Sequence, residues 1–351
     1  MNLVGSSGGN ITESNLNRLS VWWKTLRYHF VPPSIFPATL GALVAWAVDH
    51  TFYPFYFLLV LVGVIANHIA LNMADDYFDF KHAVDHLTSE EKNPYSGGSG
   101  TLSGGLIRPS AMFKAFVLCF ASTITIGVYL TILRGVPVLL FGLLGVFCSV
   151  FYTAPPISFS HHGLGELGQL VCFGTVIGMG SYFVQTQKLT LEAFLATLPL
   201  GIMLFSMIII NEIPDYEQDR LAGKLTLVAR YGKWQGAKLY MASWVCTYLV
   251  IMCGIVFGVL PLTVLLSLVS LPLALRSIQT LRVNYENPLK LAPANLDMIR
   301  AHSLMALGLI AAYSIQGILE GAPTFQLLTV LVLLALSYVP AVLTPKQQRN
   351  S

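Results

Sequence analysis

Long apolar runs separated by short polar stretches make up most of this chain. They are read near residues 34–52, 55–75, 112–132, 135–153, 164–185, 191–211, 238–259, 261–279, 301–319 and 324–343. About 20 apolar residues are what a helix needs to cross the ~30 Å hydrocarbon core. A helix can cross alone because it satisfies its own backbone hydrogen bonds. The pattern predicts an all-α, polytopic transmembrane bundle of nine to ten spans around a central cavity. Ahead of the first span, residues 16–30 mix Trp22, Trp23 and Tyr28 with Arg18, Lys24 and Arg27. That composition suits a helix lying at the membrane interface. The expected organisation is a polar tail and interfacial helix over 1–33, one membrane domain over 34–343, and a tail over 344–351.

Composition sharpens the picture. Hydrophobic residues are 55% of the chain and charged residues 11%, against about 25% charged in soluble domains. Residues 239–275 hold no Asp, Glu, Lys or Arg, and Glu320 alone interrupts the stretch between Arg300 and Lys346. Cytoplasmic loops retain positive charge. With ten spans and both termini inside, only Arg134 and Lys188 of the 20 basic residues fall outside. The expected setting is a bacterial cell membrane, with an organellar membrane left open, and both termini and the acidic loops are expected to be cytoplasmic. The net charge of +3 follows from that asymmetry and gives no hint of nucleic-acid binding. The first 15 residues are polar and lack the apolar core of a cleavable signal. Cys119, Cys148, Cys172, Cys246 and Cys253 all fall in spans, at no metal-ligand spacing, and are expected to pack in the core.

Of the 17 acidic residues, ten fall in two windows, each directly after an apolar run. The first holds Asp75, Asp76, Asp79, Asp85, Glu90 and Glu91; the second holds Glu212, Asp215, Glu217 and Asp219. Two long polar segments result, 76–111 and 212–237, and long loops in a compact protein tend to be functional. Asn72, Asp75, Asp76 and Asp79 stand at i, i+3, i+4 and i+7, one face of a helix. Asn211, Asp215 and Asp219 stand at i, i+4 and i+8, again one face. Like charges at these spacings repel, so something positive must compensate them. Hard oxygen ligands favour Mg²⁺, which prefers one or two carboxylates plus substrate phosphates to an all-protein cage. Two such helix ends can clamp a diphosphate between them. Glu90, Glu91 and Glu217 read instead as solvated loop residues.

At these windows, NMADDYFDFKHAVD at 72–85 and NEIPDYEQDRLAGKLTLVARYG at 211–232, the chain resembles the UbiA superfamily of intramembrane prenyltransferases. Gly223, Lys224, Thr226 and Leu227 match the Gly-Lys-x-Thr-Leu of its naphthoate branch. YTAPP at 152–156 and GLGEL at 163–167 are similar to the same branch, and the likeness runs from about residue 26 to 313. Asp75 stands where many members of that branch have Asn, and a tenth span exceeds the usual nine. The resemblance implies that Asn72, Asp76 and Asp79, with Asp75 assisting, hold one Mg²⁺ on the diphosphate. Asn211, Asp215 and Asp219 do so from the other side, and Asp76, Asp79, Asp215 and Asp219 form the catalytic set. Lys224 contacts diphosphate oxygens, Arg108 at the end of the Gly-rich loop is a candidate for the same role, and Tyr152 and Tyr77 line the pocket. The implied reaction transfers a polyprenyl group from its diphosphate to an aromatic acceptor, 1,4-dihydroxy-2-naphthoate in menaquinone synthesis, with loss of diphosphate and CO₂. Other acceptors within the superfamily are 4-hydroxybenzoate, homogentisate, a porphyrin or a glycerol-phosphate lipid.

The chemistry suits the residues. Leaving diphosphate must be neutralised as the allylic C–O bond breaks, and the cation formed must be shielded from water. The donor tail is apolar enough to call for a site opening sideways into lipid. A cation-coupled transporter is the rival class, since intramembrane carboxylates mark ion pathways; here, however, the acids cluster at span ends. GLGELG at 163–168 opens a span without βαβ context, so it is not a dinucleotide fingerprint. GGSGTLSGG at 97–105 lacks the Gly-Lys-Ser/Thr of a P-loop and reads as a flexible substrate-side loop, with a plain linker as the alternative. His161 and His162 read as loop residues.

Overall fold

The computed structural model describes residues 9–81 and 98–342, with side chains from residue 18 onward. The described residues contain helices and no strand. The helices are α1 (Gly9–Leu26), α2 (Pro32–Val48), α3 (Pro54–Lys81), α4 (Pro109–Arg134), α5 (Val136–Val150) and α6 (Gly165–Thr186). They continue with α7 (Leu191–Leu221), α8 (Leu227–Tyr231), α9 (Lys233–Val256), α10 (Leu262–Asn284), α11 (Pro288–Leu319) and α12 (Thr324–Val342). Each of the ten predicted spans holds one helix. Eight are long and apolar enough to cross a membrane, whereas α2 and α5 have 17 and 15 residues. The end of α1 and a short turn at Tyr28–Phe30 join α2 across a 50° bend, and together they make a ninth. The protein is an integral, multi-pass membrane protein.

Helix α2 is apolar on every side and buried on every side, from Ser34 to Ala47, against α6, α7, α11 and α12. An all-round apolar helix belongs at the centre of such a bundle. Helix α4 lies at the rim, with Leu118 and Ile132 facing outward. There Ser122 and Thr125 donate their hydroxyls to the carbonyls of Leu118 and Ala121 on their own helix, at 2.9 and 2.8 Å. With no water in hydrocarbon, that is where a lipid-facing hydroxyl finds a partner. Helices α6 and α7 touch backbone to backbone: a Cβ on Gly201 would lie 2.3 Å from the carbonyl oxygen of Leu170, and one on Gly174 2.4 Å from the nitrogen of Gly201. Small residues at such crossings let membrane helices approach closely.

Several boundaries differ from the sequence expectation. Helices α3 and α7 do not stop where hydrophobicity stops but run on to Lys81 and Leu221, so residues 72–79 and 211–219 are helical. The polar connection expected at 280–300 is mostly helix, the end of α10 and the first turns of α11. Helical hydrogen bonding continues through polar sequence once neighbours cover it. Cys246 and Cys253 face outward on α9, contrary to the core role expected for them; Cys172 is buried. Arg134 and Lys188, the two basic residues predicted outside, both lie at the helix ends opposite those that carry the acid motifs. Arg134 donates to the carbonyls of Val184 and Gln185 at 2.7 and 2.8 Å, and Lys188 pairs with Asp49 at 2.7 Å.

Candidate active site

The first motif fans out over three surroundings. Asp76 is buried; both its oxygens accept from the backbone N–H of Ser99 at 3.2 Å, and Arg27 Nη1 lies 3.3 Å from Oδ1. Arg27 itself has φ 48°, a left-handed conformation that ordinary side chains rarely adopt and that costs about 1–2 kcal/mol. The bend between α1 and α2 thereby aims its guanidinium at Asp76 and Asp75, the latter at 3.8 Å. Asp75 also accepts the Thr153 hydroxyl at 2.6 Å. Asp79 faces Lys224 Nζ at 3.7 Å and His161 Nε2 at 3.8 Å. Asn72, one turn deeper, donates to the carbonyl of Leu26 at 3.4 Å.

The second motif rides the end of α7. Gly223, with φ +71°, lets the helix stop in a left-handed turn, and the Lys224 N–H closes back on the Asp219 carbonyl at 2.8 Å. This six-to-one bond is the usual signature of a glycine-ended helix, and it delivers Lys224 to the gap between the motifs. Burial alone would lower the Lys224 pKa. The carboxylates of Asp79, Asp219 and Asp75 outweigh that and hold it well above the ordinary lysine value. The ammonium is therefore a fixed positive charge shared by the two motifs.

The loop carrying Lys224 is stapled to the loop before α6. Leu225 N–H donates to the His161 carbonyl at 3.1 Å and Arg230 Nη2 to the His162 carbonyl at 2.8 Å. Buried Glu166 accepts the Leu227 N–H at 2.6 Å, and its carboxyl meets that of Glu212. Asn211 is held by Asn295 of α11, whose Nδ2 donates to Asn211 Oδ1 at 2.8 Å. Tyr152 lies in the field of Asp75, Lys224, Glu212 and Glu166, beside the site.

The structure thus brings Asn72, Asp75, Asp76, Asp79, Asp219, Lys224 and Tyr152 to one end of the bundle, with Asn211 and Asp215 on the same stretch of α7. Two expected residues sit elsewhere. Tyr77 is packed among Phe78, Phe113 and Phe116 toward α4 because its position on α3 faces that helix. Arg108 is exposed at the start of α4, and no ion pair joins it to the acids among the described residues. Asp85, Glu90 and Glu91 lie outside the described residues. Arg27, Ser99, Thr153, His161, Glu166, Glu212 and Asn295 were not anticipated. Of these, Ser99, Thr153 and Glu166 sit inside segments that the sequence already marked, and Glu212 in the second acidic window; Asn295 carried no local signal.

An apolar cavity of about 390 Å³ lies between α3, α4, α5 and α6. Its rim residues Ile124, Val128, Leu143 and Phe147 are exposed, so it opens sideways at the outer surface. Its inner wall reaches Phe151 and Asn67, the former adjoining Tyr152 and Thr153 and the latter two helical turns before Asp75.

A profile of the UbiA prenyltransferase family matches residues 34–299, which covers both acid motifs and the cavity wall. The chain belongs to the UbiA prenyltransferase family. It is accordingly a prenyltransferase. Among its UbiA relatives, the 1,4-dihydroxy-2-naphthoate octaprenyltransferase of Bacillus subtilis is 24% identical over 89% of this chain and 99% of its own length. The enzyme of the same name from Escherichia coli is 28% identical over 67% of this chain and 78% of its own. A UbiA homologue from Archaeoglobus fulgidus, solved with GPP and Mg²⁺, shares the fold with a TM-score of 0.53 at 13% identity, covering 92% of this chain and 99% of that one. A homologue from Aeropyrum pernix gives 0.58 at 12%, over 80% and 98%.

Among the described residues no group of three or more His, Cys, Asp or Glu is preassembled as a metal cage. The donors present are nonetheless those Mg²⁺ takes. They are carboxylate and carboxamide oxygens in two small sets, which leaves coordination positions for water and phosphate.

Proposed function

We propose that this UbiA enzyme catalyses Mg²⁺-dependent transfer of a polyprenyl group from its diphosphate to 1,4-dihydroxy-2-naphthoate. The observation that carries the reading is the juxtaposition of two carboxylate-bearing helix ends across Lys224 with an apolar cavity whose wall reaches Phe151, two residues before the Thr153 that holds Asp75. The naphthoate acceptor is supported by the names of the sequence relatives. Asn72, Asp76 and Asp79, assisted by Asp75, and Asn211, Asp215 and Asp219 would hold Mg²⁺. The metal would supply positive charge where negative charge builds up on the departing diphosphate.

Lys224 and Arg27 add fixed positive charge from opposite sides and orient the diphosphate. The Ser99 loop and the stapled 159–166 and 222–230 segments keep water from the allylic carbon. The prenyl tail occupies the lateral cavity, which it enters from the bilayer without crossing water. The allylic C–O bond breaks, with its electron pair leaving on diphosphate. The ring carbon then donates a pair to form the new C–C bond, and CO₂ departs from that carbon. We further infer that the acid end of the bundle is cytoplasmic, since the ten-span reading of the sequence assigns 18 of the 20 basic residues to that side.

The test is an assay of purified protein in detergent with Mg²⁺, a long-chain prenyl diphosphate and a panel of aromatic acceptors. Products are resolved by mass, with a parallel reaction in excess EDTA. A prenylated naphthoquinol that disappears with EDTA is expected. A different prenylated acceptor overturns the naphthoate assignment and keeps the reaction class. Intact diphosphate with every acceptor, in folded and metal-replete protein, overturns the reaction itself.

A further inference from the structure

Pro214 leaves a gap in α7 within the second acid motif. Its nitrogen carries no hydrogen, so the carbonyl of Ile210, four residues back, loses its helical partner. An orphaned carbonyl inside a membrane bundle is costly. Asn295 fills the gap from the neighbouring helix α11: fully buried, it donates Nδ2 to the Ile210 carbonyl at 3.1 Å. The same nitrogen donates to Oδ1 of Asn211 at 2.8 Å. A carboxamide nitrogen has two hydrogens, so both bonds form at once. Repair of the helix requires only the first of them. The second fixes the rotamer of Asn211, whose Oδ1 keeps another lone pair for a cation. Two residues along, buried Asp297 forms a two-pronged pair with Arg276 of α10, with Nε to Oδ2 at 2.5 Å, which anchors this stretch of α11.

We propose that Asn295 is a positioning residue for the second cation site, holding the Asn211 carboxamide oxygen toward the diphosphate while it patches the helix at Pro214. This rests on the Mg²⁺–diphosphate reading above. Partners that orient metal ligands typically contribute about 10- to 100-fold in metal affinity.

The two roles of Asn295 separate cleanly, because Pro214→Ala restores an N–H for Ile210. Full-length protein in detergent is compared as wild type, Asn295→Ala, Pro214→Ala and the double variant. The thermal midpoint is read first in EDTA. The Mg²⁺ concentration for half-maximal stabilisation is then read with a saturating long-chain prenyl diphosphate and no acceptor. Asn295→Ala is expected to lower the EDTA midpoint and to raise the Mg²⁺ requirement roughly tenfold or more. In the double variant the midpoint recovers toward that of Pro214→Ala while the raised Mg²⁺ requirement persists. The double variant also carries the test if Asn295→Ala alone fails to fold. Recovery of both quantities would make Asn295 a helix patch only and overturn the proposal. A wild type without Mg²⁺-dependent stabilisation by the prenyl diphosphate would overturn the underlying reading instead.

Discussion

Replacing Lys224 by Met tests the electrostatic centre of the site. Methionine keeps most of the apolar stem and removes the charge, so packing is largely preserved. The Lys224 side chain is 17% exposed, that of Asp79 is 15%, and their charged atoms are 3.7 Å apart. Two unit charges at that distance attract by about 4 kcal/mol in an effective dielectric near 20, and by about 1 kcal/mol in bulk water. Desolvation offsets much of this, and a hydrogen bond to a charged group nets about 1.5–3 kcal/mol. If the ammonium contacts diphosphate with that strength, K224M loses roughly 10- to 150-fold in kcat/KM for the prenyl donor, at about 1.4 kcal/mol per tenfold. A second consequence is independent of turnover. In metal-free protein the variant leaves Asp79, Asp219 and Asp75 facing one another without their shared cation, so its thermal midpoint in EDTA falls below wild type. Mg²⁺ neutralises the same carboxylates, so the gap narrows as Mg²⁺ is added. Steady-state kinetics with varied prenyl diphosphate and thermal denaturation with and without Mg²⁺ give both numbers. An unchanged donor KM and kcat, or a midpoint deficit that Mg²⁺ leaves untouched, refutes the reasoning.

Asp76→Ala and Asp215→Ala should each abolish prenyl transfer while the protein still elutes as a folded species on gel filtration; full activity in either variant removes that residue from the metal set. Gly201→Ala should lower the thermal midpoint, because its Cβ would lie 2.3 Å from the Leu170 carbonyl and force α6 from α7, a loss on the order of 1–3 kcal/mol. Gly168→Ala, where nothing lies within 4 Å of the added carbon, is the control and should be neutral or better. Gly127→Leu places a side chain in the lateral cavity, where the backbone has open space. It should shift the preferred donor toward shorter prenyl chains in a competition assay read by mass, and an unchanged chain-length preference would move the tail elsewhere.

Much of the architecture and half of the site were legible in the sequence, for reasons of periodicity and solvent. Membrane helices announce themselves because hydrocarbon tolerates little else, so all ten apolar runs became helices. The aspartates announced themselves because charge is scarce in this chain and their spacing of three and four residues places them on one helix face. What the one-dimensional pattern could not carry was any contact made across helices. Arg27 looked like an interfacial residue until the bend between α1 and α2 turned it onto Asp76. His161 was an ordinary loop histidine until the bundle set it opposite Asp79. Tyr77 and Arg108, placed at the site by the family resemblance, point to an aromatic cluster and to the surface: helix phase turns Tyr77 toward α4, and Arg108 stands in extended backbone just ahead of α4. Asn295 is the sharpest case. Its role exists because a proline on one helix leaves a carbonyl unpaired and a second helix, some 80 residues further along, supplies the missing donor. Hydrophobicity and charge act on each residue locally, so the sequence by itself determined the spans and the acid motifs. Hydrogen bonding between distant helices depends on distance and angle in space, and only the tertiary structure could decide which side chains complete the site.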